Sequence, residues 1–159
     1  MENQYKDVWT TDDFEQMEWH DNKIYAVAFG INEHKIAIDL DYILEWKGPE
    51  GGKAHYEFLI APATLVFTNV HDISINLLSP NPIVDEIHRT ILGKPKNSGF
   101  IEEQIEYEWT IETTEGEITF KSVGFIQSLK GDPKMLDRQS IGSSERGGIS
   151  FDIQSGCRA

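Results

Sequence analysis

The chain has 159 residues, of which 39% are hydrophobic and 11% aromatic, and 27 Asp and Glu outweigh 14 Lys and Arg to give a net charge of -13. That composition excludes a disordered chain and suits one domain with a real core, while the charge repels nucleic acid and anionic membranes and attracts a basic protein or a cationic ligand. Cys157 stands alone, which excludes an intrachain disulfide and a cysteine-rich zinc site.

No stretch approaches the roughly 20 apolar residues of a membrane helix, and the polar start MENQYKDVWTTDDFEQ has no apolar signal segment. The expectation is one cytoplasmic domain over 1–159, loose at 1–10 and 154–159. Thr11 reads as the N-cap of a short helix with Asp12 and Asp13 in its first turn and Phe14 and Met17 on one face, ending near Trp19. Lys23 to Gly30, KIYAVAFG, is a strand with two apolar faces. A turn at Asn32-Glu33 pairs Phe29 with Ile36, Val27 with Ile38 and Tyr25 with Leu40.

Lys35 to Trp46, KIAIDLDYILEW, organises the rest. Its even positions (Ile36, Ile38, Leu40, Tyr42, Leu44, Trp46) are apolar and its odd positions are mostly polar, so the pattern predicts one buried and one wet face. After a loop at 47–55, Tyr56 to Ile60 is a strand that Ala61-Pro62 breaks at an edge or bend. Thr64 to Asn69 resumes it, and Ile73 to Leu78 alternates again. Ile83 to Leu92 has near-helical spacing, with Asp85 and Glu86 early and Arg89 late, and predicts a short helix.

Ile101 to Thr113 then alternates strictly apart from Glu103. A hairpin turn at Glu115-Gly116 sets Ile111 opposite Phe120, Thr113 opposite Ile118 and Ile105 opposite Ile126. Val123 and Phe125 fall on the outer face, where the C-terminal segment is the available cover. From Lys130 the chain is rich in Gly, Ser and charge, and Ile149 to Ile153 alternates as a last strand. The expected fold is mainly β: an antiparallel barrel or sandwich of seven to eight strands with one or two short helices, burying Ile38, Leu40, Ile105, Trp109, Ile111 and Phe120.

Asp39 and Asp41 lie about 7 Å apart on one strand face. Such a pair can bind a divalent cation or act as acid and base, but on the polar face of an amphipathic strand it reads first as solvated surface. Glu102, Glu106, Glu108 and Glu112 form an acidic row on one outer face, suited to docking a basic protein. Arg138 and Arg146, among serines and glycines, form a weak anion-loop candidate without a P-loop lysine. Neither Trp19-His20-Asp21 nor His71-Asp72 makes a dyad, and His34, His55 and His88 lack metal-ligand spacing. Cys157 has no positioned base. No catalytic residue, cofactor or metal is expected.

W-H-D at 19–21, I-x-I-D-L-D-Y-I at 36–43 and L-V-F-x-N-V-x-D-I-x-I-N-L at 65–77 together resemble a group of small bacterial proteins of unknown function. Part of that group is similar to the immunity proteins of polymorphic toxin systems. The resemblance implies a cytoplasmic, non-enzymatic, β-rich protein that binds another protein, often a basic toxin, and it carries over no catalytic residue. Residues 130–150 lie outside it. Two other readings compete: a small-ligand-binding barrel with Trp46, Tyr107 and Trp109 facing inward, and a hydrolase or metal enzyme using Asp39, Asp41 and a histidine.

Overall fold

The computed structural model describes residues 5–30, 33–49, 51 and 55–152 and contains two antiparallel sheets. The strands in chain order are β1 (Val8–Thr10), β2 (Ile24–Phe29), β3 (Ile36–Lys47), β4 (Glu57–Thr68), β5 (His71–Leu77), β6 (Val84–Gly93), β7 (Glu106–Thr113), β8 (Gly116–Ser122), β9 (Gly124–Leu129) and β10 (Lys134–Leu136). The larger sheet runs β1-β9-β4-β3-β2, with β10 also on β4, and the smaller runs β5-β8-β7-β6. They face each other across Ile36, Ile38, Leu40, Leu65 and Phe67 on one side and Ile87, Trp109, Ile111, Ile118 and Phe120 on the other. The mainly antiparallel β expectation holds, as two sheets rather than a closed barrel.

The chain changes sheet at two adjoining corners. Asn69, with φ of 51°, takes it from β4 to β5, and Val123 takes it from β8 to β9. The Ser122 hydroxyl donates to the Thr68 carbonyl at 2.6 Å, tying the corners together. This switch corrects one expectation: Phe125 falls inside the core, at 5.8 Å from the rings of Trp19 and Trp109, rather than on an outer face. Elsewhere the W-H-D segment is pinned to the start of β6 by Asp21 N–H to Val84 O at 2.8 Å and Val84 N–H to Asn22 O at 2.8 Å.

β3 and β4 are central strands. Pro62 is tolerated there because of where its missing donor points. The Asp41 N–H turns toward Lys23, so Asp41 and its partner Pro62 exchange no hydrogen bond. Pro62 thus faces the other neighbour, at the gap where β10 (opposite 58–60) gives way to β9 (opposite 63–68), and its carbonyl accepts Lys130 N–H at 2.7 Å. The edge or bend expected at Ala61-Pro62 is therefore an unbroken central strand.

Bulges account for the other departures. Ile83 to Leu92 is not a helix but mostly β6. An extra residue between Val84 and Glu86 stretches the first inward step, Val84 to Ile87, to three residues before Arg89 resumes the two-residue step, and a three-residue step mimics a helix. In β2, Phe29–Ile36 and Val27–Ile38 pair as expected, but a bulge puts Ile24 opposite Leu40 and turns Tyr25 to the outer face. A bulge between Ile43 and Glu45 carries the end of β3 out of the core, where Trp46 is 42% exposed. β7 starts at Glu106, so Ile105 is exposed rather than core.

The β7–β8 turn is Thr114-Glu115, which pairs Trp109 with Phe120 and Ile111 with Ile118. That is a two-residue shift from the expected register, and within β7 and β8 it leaves the side chains on their expected faces. The short helix is a 3-10 helix, Thr11–Gln16, in which the Asp13 carboxylate accepts the Thr10 N–H at 2.8 Å. Val8–Thr10, within the expected loose start, is strand β1. Residues 149–152 are not a strand. Ile153, Asn32, Cys157 and most of the 47–55 loop interior fall outside the described residues.

Candidate functional site

The outer face of β3 is not wet. Asp39 and Asp41 are fully buried, because residues 130–152 lie across them. The Arg146 guanidinium, itself 1% exposed, donates from Nη1 and Nη2 to Asp39 at 2.9 and 2.6 Å and from Nε to Asp41 at 2.9 Å. Lys130 Nζ reaches Asp39 at 2.6 Å. The bulged Tyr25 gives its hydroxyl to Asp41 at 2.7 Å and its ring to Arg146, whose Cζ sits 4.0 Å from the ring centroid. Backbone N–H groups of Ile141 and Ser150 donate to Asp41 and Asp39 at 2.7 and 3.1 Å.

Two carboxylates thus meet two cations, and every carboxylate oxygen has a donor. Burial pushes the Tyr25 phenol up to about 12, helped by its hydrogen bond to Asp41. Burial likewise draws the Lys130 amine down against the pull of Asp39, whereas for Arg146 burial is outweighed by Asp39 and Asp41 and the guanidinium moves up. With its oxygens filled, this cluster is a lock for the 130–152 segment. Arg138 is spent within the segment, on Glu145 at 2.7 Å and the Ile141 carbonyl at 3.2 Å, so both arginines of the expected anion loop face acceptors of the chain itself. Among the described residues, no group of three or more His, Cys, Asp and Glu side chains could hold a metal ion.

The acidic face is drawn differently from the expected row. Glu102 lies in the loop before β7. Glu106 is 8% exposed and bonded to His71 Nε2 at 2.7 Å, so it belongs to the scaffold. Glu108 faces Lys121 on β8, and Glu112 lies 3.4 Å from His88. Lys121 is also held by Asp72 at 2.8 Å, a pairing that raises the lysine and lowers the aspartate in pKa. The registers add two residues the sequence reading missed: Glu86, Glu112 and Glu117 stand directly opposite one another across β6, β7 and β8. The chain matches no family model, no curated protein and no solved structure.

Glu86 also borders a cleft of about 380 Å³ between the 3-10 helix and the β6 edge. Phe14, Met17 and Ile87 supply apolar lining, and Glu15, Glu18, Asp85 and Glu86 supply carboxylates. At one end His20 Nδ1 lies 3.0 Å from the Asp85 carbonyl oxygen and Nε2 lies 3.5 Å from Asp21. The Asp85 carbonyl raises the pKa of His20; partial burial opposes this, and the charges of Asp21, Glu18 and Asp85 reinforce it. Arg89 is folded against the cleft wall, its Cζ 4.3 Å from the ring centroids of Phe14 and Tyr107 and its Nη2 3.6 Å from Glu15.

Proposed function

We propose that this chain is a non-enzymatic protein-binding module that docks a basic protein on the outer face of its four-stranded sheet, in an immunity-like role against a basic toxin. The carrying observation is the line Glu86–Glu112–Glu117. Like charges directly opposite on neighbouring strands cost stability, a few tenths to about 1 kcal/mol per pair. Among the described residues, and apart from the Glu112 contact with His88, they have no cation partner within the sheet, whereas a lysine- or arginine-bearing surface is both attracted and oriented by them. The packed interior supports a surface site over an enclosed ligand: Phe67, Trp109 and Phe120 are essentially fully buried, with ring centroids 4.6 to 5.0 Å apart around Phe67.

The test uses the opposite signs of the two effects. Glu112→Gln with Glu117→Gln should raise the melting temperature slightly and weaken capture of a basic protein from lysate of the source cell, with wild-type association falling as salt rises. A variant that is stabilised yet binds that protein as tightly as wild type would refute the reading.

A further inference from the structure

Resting on that reading, we infer that the cleft between the 3-10 helix and β6 receives an arginine side chain of the basic partner. The cleft is continuous with the proposed face, because Glu86 belongs to both. Among the described residues, the carboxylates of Glu18, Asp85 and Glu86 make no salt bridge. Of the cations beside the cleft, Arg89 lies between the Phe14 and Tyr107 rings and reaches Glu15, and His20 faces the Asp85 carbonyl and Asp21 while also feeling the charges of Glu18 and Asp85.

Carboxylates around an apolar lining ask for a cation with an apolar body. Arginine fits this better than lysine, because its planar guanidinium is weakly hydrated, stacks on rings and forks onto carboxylates. The chain uses the same chemistry internally, with Arg146 set on Tyr25 between Asp39 and Asp41. An extended arginine laid over Phe14 and Met17 would bring its guanidinium among Glu18, Asp85 and Glu86 and bury its stem against Ile87.

The test is calorimetric titration of the full chain with two capped peptides, tetra-arginine and tetra-lysine. Wild type should favour the arginine peptide by about tenfold. Glu18 and Asp85 are exposed, so Glu18→Gln with Asp85→Asn leaves the fold intact, and it should erase that preference. The Glu112→Gln, Glu117→Gln variant should weaken both peptides alike. Equal binding of the two peptides by wild type, or a preference surviving Glu18→Gln with Asp85→Asn, overturns the cleft inference. If the face variant still weakens binding in that case, the docking face stands without the cleft; if neither variant weakens binding, both ideas fall.

Discussion

Arg146→Ala is the most severe single perturbation of the outer layer. It deletes five hydrogen bonds, to Asp39 twice, to Asp41, and to the Gly148 and Leu40 carbonyls, together with one buried charge. Among the described residues, Lys130 then remains as the one cation against two fully buried carboxylates. Removing one partner of a buried ion pair costs about 3–5 kcal/mol, because the charge left behind has lost both water and its counterion. A whole domain is stable by only about 5–15 kcal/mol, so the molecule will take the cheaper of two routes. Either the whole fold loses about 3–5 kcal/mol, or the 130–152 segment lifts and rehydrates the aspartates. Urea unfolding reads the first. Hydrogen exchange at the Ile141, Gly142 and Ser150 amides, which donate to Asp41, Tyr25 and Asp39, reads the second. Adding Asp41→Asn should recover much of the loss, since Asp39 and Lys130 then balance. A loss under about 1 kcal/mol with these amides still protected would refute the reasoning.

Other expectations follow from single contacts. Trp109→Ala empties the centre of the core and removes the indole bond to the Ser122 carbonyl, so it should cost about 3–5 kcal/mol in urea unfolding. Gly116, at φ of 133°, would place a Cβ 2.0 Å from the Asn76 carbonyl oxygen. Gly116→Ala should therefore cost about 1–3 kcal/mol and loosen β5 from β8, visible as faster amide exchange in β5. His20 should titrate by NMR with a midpoint above 6.5. Because its folded pKa is raised, its stabilisation is complete below the unfolded value and disappears as pH rises through the folded one, so His20→Gln and wild type should converge in stability at high pH.

Alternation in β3 and β7 made the β class and the buried Ile38, Leu40, Trp109, Ile111 and Phe120 readable in sequence, since period two survives even a register error. The bulge in β6 was not readable, because one inserted residue changes a strand's spacing into a helix's. Glu86 was hidden with it, and Glu117 depended on the turn position. The ion cluster was harder still. Asp39 and Asp41 sit in an amphipathic pattern whose wet face is wet only until a distant segment covers it, and nothing local to β3 announces Arg146. Tyr25 points to Asp41 through a bulge that the apolar-on-apolar pairing with Leu40 concealed.

The distance along the chain between Asp39 and Arg146, 107 residues, sets an order of events during synthesis. The aspartates leave the ribosome early, and their two cations, Lys130 and then Arg146, come much later. Until the 130–152 segment has been made, Asp39 and Asp41 depend on water, and Ile43 and Ile60 lack the Ile141 side chain that packs with them in the finished protein. A copy that stops before Lys130 lacks both cations and the Ile141 cover, and so presents Ile43 and Ile60 as an apolar patch of the kind chaperones and proteases engage.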